Sequence, residues 1–342
     1  MKVVNQVREY STILTSVLEG HEAGPEKLAK LLSSILAGEL GEAETAAFLI
    51  ALRMKGETAG ELATAATLLR ERMLPLETGR TGLLDTCGTG GDGTGTFNIS
   101  TAAAIVAAAS GVPVVKHGNR AFSSRTGSAD VLTELGLKID SGPDWAKRCL
   151  DATGLAFCFA PHFHPALKQV ADLRRRLGVR TIFNLIGPLA NPAGADYQLL
   201  GVGKAELLDP LAGALAKLTI RQAYLVCGCD GLDEVTLAAP TMFRQVRGNQ
   251  VTAGEWTASD FGLAPCSLEG LRAANASESA AIIRSVLAGH SGPARRIVLA
   301  NVAAALLTAE RVANLPQGVS VAEIAIDSGK ARAILEHLQK IV

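Results

Sequence analysis

The segment richest in residues that could do chemistry runs from residue 85 to residue 101 and reads DTCGTGGDGTGTFNIST. Its glycines let the backbone turn tightly and expose consecutive N–H groups to an anion; they are Gly88, Gly90, Gly91, Gly93 and Gly95. Ser100 and Thr101 stand where an alanine-rich helix is expected to begin, so the unpaired N–H groups of that helix face the same loop. The segment therefore predicts an anion site of the kind that binds phosphate.

Two familiar glycine-rich loops do not fit this segment. The spacing Gly88-x-Gly90-x-x-Gly93 matches the dinucleotide fingerprint, but that fingerprint needs a helix opening on its third glycine and an acidic residue about 20 positions later. Here several residues separate Gly93 from the expected helix, and the next strand ends in Lys116 and His117. The Gly-Lys-Ser/Thr ending of a P-loop is also missing from the segment. A glycine-rich surface linker is disfavoured because an apolar strand and a buried helix flank the loop closely.

A second polar segment, KHGNRAFSSRTGS, covers residues 116–128 and follows the next apolar strand. It crowds hydrogen-bond donors into one loop: Lys116, Asn119, Arg120, Ser123, Ser124, Arg125 and Ser128. The carboxyl end of a strand is where α/β sheets place their ligands, so this loop suits a polyphosphate. A merely solvated loop is the alternative, but two such loops on adjacent strands converge on one edge.

The third segment is DGLDE, residues 230–234, after the apolar strand QAYLVCG. Adjacent carboxylates such as Asp233 and Glu234 are usually surface charge. On the same sheet edge as two phosphate loops they are better explained as Mg²⁺ ligands, because hard cations take oxygen donors and bridge carboxylates to phosphates.

These segments need a scaffold, and the hydrophobic pattern predicts an α/β protein. Residues 1 to about 75 show only helical periodicity, for example Leu28, Leu31, Leu32, Ile35 and Leu36. From GLLDTC onward, short apolar strands alternate with helices, which predicts a mostly parallel sheet covered on both faces. We therefore expect an all-helical domain over residues 1–80 and an α/β domain over residues 81–342. Residues 162–192 are expected to leave the sheet and return to pack on the helical domain.

Composition narrows the classes of protein further. The 33 basic and 33 acidic residues balance, which argues against a general binder of nucleic acid or membrane surface. The six cysteines lack the spacing of a disulfide framework or a zinc site, and free thiols are the better interpretation. The N-terminus lacks the apolar core of a signal peptide, and no stretch is long enough to span a bilayer. We expect a cytoplasmic protein.

Taken in order, the three segments resemble the anthranilate phosphoribosyltransferase family, together with AAFLIALRMKGET, FAPHFHPALKQV and LGVRTIFNLIGPLANPA. The resemblance extends over essentially the whole chain. It implies a nucleoside-phosphorylase-like α/β domain joined to a helical domain that makes a homodimer contact. It also implies Mg²⁺-dependent transfer of a phosphoribosyl group from phosphoribosyl pyrophosphate to anthranilate, the second step from chorismate to tryptophan.

The resemblance implies three sets of site residues. Phosphoribosyl pyrophosphate would be bound by Gly88, Gly91, Asp92, Thr96, Asn98, Ile99, Ser100, Thr101, Lys116, His117, Gly118, Asn119, Arg120, Ala121, Phe122, Ser123, Ser124 and Ser128. Two Mg²⁺ ions would be held by Ser100, Asp233 and Glu234, and anthranilate by Gly88, Asn119 and Arg174.

Arg174 lies in the run Arg174-Arg175-Arg176, which by itself is typical of a solvated helix face. We expect two of the three arginines to be exposed to solvent in this way. The third could point into the cleft that binds substrate and pair bidentately with a carboxylate. Only the resemblance selects Arg174. His162 and His164 could ligate a metal, but without a matching Cys or acid we favour a structural or substrate-lining role.

The sequence departs from the family pattern at two places. Cys227 stands where the family usually has His, and Ser279, in the divergent stretch 271–279, stands where it usually has Asn. We expect neither to touch the phosphate or metal motifs.

Two rival functions have to be distinguished from the phosphoribosyltransferase. They are a pyrimidine nucleoside phosphorylase, which shares the fold, and a non-catalytic nucleic-acid-binding relative. The DGLDE carboxylates count against both, the KHGNR loop against the phosphorylase, and the neutral charge against the nucleic-acid binder.

Overall fold

The N-terminal part of the chain is helical in the computed structural model, which describes residues 2–120 and 126–341, with side chains from residue 9 onward. Its helices are α1 (Lys2–Leu18), α2 (Pro25–Ala37), α3 (Glu42–Lys55) and α4 (Ala59–Glu71). The leucines that predicted α2 are buried, and Gly38 ends that helix in the left-handed conformation. A capping box between Thr58 and Glu61 starts α4.

A seven-stranded sheet forms the centre of the rest of the molecule. Its strands are β1 (Leu84–Asp85), β2 (Val114–Gly118), β3 (Leu155–Phe159), β4 (Tyr197–Gly201), β5 (Gln222–Gly228), β6 (Thr241–Arg247) and β7 (Gln250–Trp256). Their order is β3-β2-β1-β4-β5-β6-β7, with β1 to β5 parallel and the β6–β7 hairpin antiparallel at one edge. The predicted mostly parallel α/β sheet with a helical N-terminal region is confirmed.

Helices cover both faces of this sheet. They are α5 (Ile99–Ala109), α6 (Ser128–Glu134), α7 (Gly142–Thr153), α8 (Ala160–Phe163), α9 (Lys168–Leu177), α10 (Ile182–Ile186), α11 (Leu208–Lys217), α12 (Ala276–Leu287), α13 (Pro293–Thr308), α14 (Leu315–Asp327) and α15 (Lys330–Leu338). Alanines dominate α5, and its residues 101 to 108 are all buried. Small side chains let α5 and its neighbour α13 pack closely, which explains the scarcity of aromatic residues in the core. Nowhere in the described residues does a helix combine the length and apolarity needed to cross a membrane.

One face of the sheet shares its core with the N-terminal helices. Leu62 of α4 belongs to the same cluster of buried side chains as Phe183 of α10, Leu211 of α11 and Leu225 of β5. Residues within 162–192 therefore pack against the helical region. The division into domains at residues 80 and 81 stays our proposal.

Candidate active site

The glycine-rich loop leaves β1 and runs beside the carboxyl end of β4. Gly88 pairs with Gly201 in an isolated parallel bridge. The N–H of Thr89 donates to the carbonyl of Gly201 at 2.8 Å, and the N–H of Gly201 donates to the carbonyl of Cys87 at 3.0 Å. The loop is thus fixed by main-chain hydrogen bonds rather than left as a free linker.

Close backbone approach explains why glycines occupy two of these positions. A Cβ on Gly88 would lie 3.2 Å from Oδ2 of Asp233, and a Cβ on Gly201 would lie 1.8 Å from the carbonyl oxygen of Asp233. Only residues without a side chain allow the loop, the end of β4 and the segment after β5 to meet. The structure therefore brings together the first and third segments found in the sequence.

Three carboxylates gather at this junction. Removal from water raises the pKa of Asp233 well above its usual value, and the neighbouring carboxylates Asp92 and Glu234 raise it further. The N–H of Gly90 donates to Asp233 and opposes that shift. Burial likewise raises the pKa of Glu234 to about 7, against the opposing charge of Lys116. A cation between these groups would relieve their repulsion.

The start of α5 faces the same carboxylates. The N–H of Ser100 donates to Oε1 of Glu234 at 3.0 Å, and the hydroxyl of Ser100 also hydrogen-bonds this carboxylate. Ser100, Asp233 and Glu234 therefore lie at one place. No group of three His, Cys, Asp or Glu side chains among the described residues closes into a metal cage. Such a cage is not expected for Mg²⁺, which usually takes one or two carboxylates and completes its shell with water and substrate phosphates.

Lys116 and Asp85 form a buried polar network beneath the loop. Lys116 is 4% exposed and its Nζ donates to the carbonyl of Thr86. The fully buried Asp85 accepts from the N–H of His117 at 3.1 Å and from Nδ2 of Asn191 at 2.7 Å. Burial still raises the pKa of Asp85. The network fixes β1 against β2 at the point where both phosphate loops begin.

The second segment turns back after β2. A Cβ on Gly118 would lie 2.3 Å from Oγ of Ser128, so the start of α6 packs directly on this turn. The carbonyl of Asn119 accepts from the N–H of Ala129 at 3.2 Å. The guanidinium of Arg120 pairs with Asp130 at 3.3 Å and Asp140 at 3.1 Å. Ala121, Phe122, Ser123 and Ser124, which the resemblance assigns to the sugar-phosphate site, lie outside the described residues.

The carboxyl half of the glycine-rich loop contacts the segment before α12. Thr96 forms an antiparallel bridge with Arg272, and the N–H of Asn98 donates to Oγ of Ser279 at 2.9 Å. Our expectation that residues 271–279 do not touch the phosphate motif is therefore wrong. It failed because residues 98 and 279 are far apart in sequence, and nothing in either local pattern reports their contact.

Other residues of the predicted sugar-phosphate set lie in the core at the start of α5. Ile99 is buried, so only its main chain could face a ligand, and its N–H donates to the carbonyl of Phe97 at 2.7 Å. The hydroxyl of Thr101 is buried and has no hydrogen-bond partner among the residues that the structure describes. Gly91 has a φ of 75° and precedes Asp92, whose carboxylate accepts from the hydroxyl of Thr94 at 2.6 Å.

The three arginines of α9 differ in their exposure to solvent. Arg175 and Arg176 are exposed and pair with Asp172. Arg174 is half-buried, its guanidinium lies 5.9 Å from the ring centroid of Phe183, and burial lowers its pKa to about 10. Arg174 is thus the member of the run that is drawn into the protein.

Two histidines face each other in the interior. The ring centroids of His117 and His164 are 4.9 Å apart. Burial lowers the pKa of His117 to about 3 and that of His164 to about 4, so both rings are neutral at pH 7. His162 is more exposed, and its Nε2 lies 4.0 Å from Oδ1 of Asp140.

Sequence reasoning missed Arg180. Its Nη2 donates to the carbonyl of Gly90 at 2.7 Å, and its own carbonyl accepts from Nη1 of Arg53 at 2.5 Å. Burial lowers the pKa of Arg180, and the charge of Asp233 opposes that shift. Arg180 therefore links α3 to the phosphate loop. A lone arginine after Gly178 and Val179 carries no local signal that could have revealed this position.

Comparison with known proteins places this arrangement in a family. Residues 80–332 match the model described as glycosyl transferase family, a/b domain, and residues 11–73 match the helical bundle domain of the same family. The chain is 46% identical over 328 residues to the anthranilate phosphoribosyltransferase of Symbiobacterium thermophilum, covering 96% of each chain. It is 48% identical over 325 residues to that of Moorella thermoacetica, covering 95% of this chain and 96% of the relative.

Solved structures agree with these sequence matches. The anthranilate phosphoribosyltransferase of Thermus thermophilus superposes with a TM-score of 0.88 at 39% identity, covering 96% of this chain and 98% of that one. The Saccharomyces cerevisiae enzyme, in complex with PRPP and Mg, superposes with a TM-score of 0.87 at 28% identity, covering 96% of each chain. The resemblance read from the motifs is confirmed, and the chain belongs to the anthranilate phosphoribosyltransferase family.

Proposed function

We propose that this enzyme transfers the 5-phosphoribosyl group of phosphoribosyl pyrophosphate to the amine of anthranilate. The products are N-(5-phosphoribosyl)anthranilate and pyrophosphate, and the reaction is the second step of tryptophan biosynthesis from chorismate. The observation that carries the proposal is the contact of the glycine-rich loop at Gly88 with the carboxylate of Asp233. A glycine-rich loop beside buried carboxylates suits a diphosphate that arrives with its counter-ion.

The sugar diphosphate would lie between the two loops. Main-chain N–H groups of Gly88, Gly91 and Asp92 offer neutral donors, and Lys116 offers a buried positive charge. Of the remaining residues named from the resemblance, the described ones from Thr96 to Thr101, from His117 to Arg120 and Ser128 belong to the same site in this proposal. Arg180 extends the set because its guanidinium binds the loop at Gly90.

Magnesium fits the carboxylate end of this site. Asp233 and Glu234 provide hard oxygen donors, and Ser100 adds a hydroxyl. Burial, with the charge of neighbouring carboxylates, raises the pKa of both acids, so a cation bound there would stabilise their ionised forms. The yeast relative, whose structure contains PRPP and Mg, supports the assignment. We propose two ions per subunit, which when bound neutralise charge that develops on the departing diphosphate.

The reaction needs charge stabilisation more than acid–base chemistry. The bond between C1 of the ribose and the pyrophosphate oxygen breaks as the amine nitrogen of anthranilate bonds to C1. Lys116 stabilises the negative charge that pyrophosphate gathers. The new N–C bond makes the amine proton acidic, so it leaves to water without a strong general base. Holding the weakly nucleophilic amine in line is the main task of the anthranilate site.

Gly88, Asn119 and Arg174 form that anthranilate site in the proposal. Arg174 supplies a half-buried guanidinium, which is stronger toward a carboxylate than an exposed one because water competes less. The neutral His117 and His164 rings add no charge of their own to the interior.

We further propose that the enzyme works in the cytoplasm as a homodimer joined through its helical domain. Two large apolar residues of that domain are strongly exposed, Leu18 at 68% and Met54 at 80%. Exposed apolar side chains of this size are common at subunit contacts. Sedimentation at several protein concentrations tests this assembly, and a monomer throughout would contradict it.

The activity itself is tested by the fluorescence of anthranilate. We expect the signal to fall when phosphoribosyl pyrophosphate is added with Mg²⁺ and to persist when EDTA removes the metal. Phosphorolysis of thymidine by the same preparation would instead favour a nucleoside phosphorylase. Retention of DNA in a gel-shift at physiological salt, without turnover, would favour the nucleic-acid-binding alternative.

A further inference from the structure

The segment before α12 clamps the carboxyl half of the glycine-rich loop. The N–H of Phe97 donates to the carbonyl of Leu271 at 2.8 Å, and the N–H of Ala273 donates to the carbonyl of Gly95 at 3.0 Å. With the bridge between Thr96 and Arg272, these bonds hold residues 95–97 as a short antiparallel pair. The loop that faces the substrate is therefore shaped by a distant part of the chain.

Ser279 is the side chain that completes this clamp. It lies on α12 with 0% exposure. Its hydroxyl oxygen accepts from the N–H of Asn98 at 2.9 Å, and the same hydroxyl donates to Oδ1 of Asn98 at 3.1 Å. Both roles of the hydroxyl are thus used on one residue, which no methyl or thiol could reproduce with equal strength.

Asn98 also joins the two phosphate loops. Its Oδ1 accepts a second hydrogen bond, at 3.0 Å, from the hydroxyl of Thr126 at the end of the second segment. These two hydrogen bonds hold the amide oxygen of Asn98 against both hydroxyls. The amide nitrogen then points away from both hydroxyls. Asn98 immediately precedes α5, whose Ser100 binds Glu234.

We infer that Ser279 is a positioning residue for the sugar-diphosphate site, acting through Asn98. It sets the amide orientation of Asn98 and aligns the start of α5 with the second loop. The inference rests on the proposed function, since it assumes that phosphoribosyl pyrophosphate is the ligand of these loops. It concerns mainly binding of that substrate, because none of the residues proposed for anthranilate, Gly88, Asn119 and Arg174, belongs to the clamped residues 95–98.

The first test is steady-state kinetics of Ser279→Ala with each substrate varied in turn. We expect KM for phosphoribosyl pyrophosphate to rise about fivefold to tenfold, equivalent to about 1 to 1.4 kcal/mol, as for loss of one or two hydrogen bonds. KM for anthranilate should stay within about twofold. Ser285→Ala is the matched control, because it removes an exposed hydroxyl of the same helix that binds His290. It should change neither constant.

A double-mutant cycle with Asn98→Ala separates positioning from general loosening of the fold. If Ser279 acts through Asn98, adding Ser279→Ala to Asn98→Ala should raise KM for phosphoribosyl pyrophosphate by less than about twofold further. Independent, multiplying effects would overturn the inference, as would an unchanged KM in Ser279→Ala or equal rises in both KM values. The unmodified enzyme is assayed alongside, so failure of the proposed function would appear there as absence of turnover.

Discussion

The pKa values of Asp233 and Glu234 are raised both by burial and by repulsion from neighbouring carboxylates. Both raise the pKa of Asp233, and burial raises that of Glu234, so the folded protein carries an electrostatic cost at neutral pH. The structure retains these carboxylates beside a loop built to approach them closely. Such an arrangement favours binding of a cation over stability of the ligand-free chain.

Neutralising both carboxylates tests their role in the metal site. We expect Asp233→Asn with Glu234→Gln to lower turnover at saturating Mg²⁺ by about 100-fold or more, because the metal ligands are lost. The melting temperature in EDTA should not fall, since the like-charge repulsion is removed and Gln can still accept from Ser100. Turnover within about tenfold of the parent would contradict the metal assignment.

The role of Arg174 can be tested against its neighbour Arg175, which lies on the same helix. We expect Arg174→Ala to raise KM for anthranilate by about 10-fold to 100-fold, as for loss of a partly desolvated charged hydrogen bond. KM for phosphoribosyl pyrophosphate should change little. Arg175→Ala, which removes an exposed guanidinium paired with Asp172, is the control. Equal effects of the two changes on anthranilate would reject a specific role for Arg174.

The buried histidine pair predicts how stability depends on pH. The folded-state pKa of His164, about 4, lies below its ordinary value of 6.5, so the unfolded chain takes up a proton first as pH falls. The contribution of His164 to the free energy of unfolding is fully present above pH 6.5 and is lost as pH falls toward 4. The loss amounts to about 2 to 3 kcal/mol by pH 4.5. In urea titrations over this pH range, the free energy of unfolding of His164→Asn should fall less steeply than that of the parent. A slope identical to that of the parent would show that His164 is not held neutral.

At the scale of elements, close approach between β4, the glycine-rich loop and the segment after β5 defines the site. The same loop is held from its other side by the residues before α12 and from the helical region by Arg180. Four parts of the chain distant in sequence thus fix one loop: β4, the segment after β5, the residues before α12 and Arg180. This shape is therefore set before substrate binds, which limits the entropy lost on binding.

Gly201→Ala tests the closest of these approaches. The new Cβ would meet the carbonyl of Asp233 at 1.8 Å, so the segment 230–234 must move. We expect a loss of about 2 kcal/mol or more in unfolding free energy and a severe loss of turnover. Gly60→Ala is the control, because its Cβ would meet side chains at 3.7 Å and alanine favours the helix α4. A stable, fully active Gly201→Ala enzyme would show that the contact is not required.

At the scale of the whole molecule, the helical region and one sheet face share a single buried cluster. Leu62 on α4 is fully buried, and Phe183 and Ile186 of α10 belong to the same cluster. Loss of packing in the helical region should therefore reach the sheet, because the two surfaces have no separate cores there.

Leu62→Ala measures this coupling. We expect a loss of about 2 to 5 kcal/mol, from the lost burial and the cavity left behind. Both tryptophans lie in the sheet region, so their fluorescence should report the same lowered midpoint as circular dichroism. Ile324→Ala, at a side chain 65% exposed on α14, should change the midpoint little. An unchanged fluorescence midpoint in Leu62→Ala would show that the two regions unfold separately.

The local sequence determined the elements and the candidate chemistry of this protein. Glycine spacing predicted the anion loop, alternation of strands and helices predicted the parallel sheet, and the rule that strand ends share one edge predicted that Gly88 and Asp233 approach each other. These predictions depend on backbone preferences and periodicity, which act between neighbouring residues.

Tertiary structure alone decided which side chains complete the site. Arg180 reaches Gly90 across 90 positions, and Ser279 reaches Asn98 across 181. Arg174 had been named only through the resemblance, and the fold makes it the half-buried member of its run. Contacts between residues so far apart in sequence depend on how packed helices and strands cross, and no local pattern records that geometry.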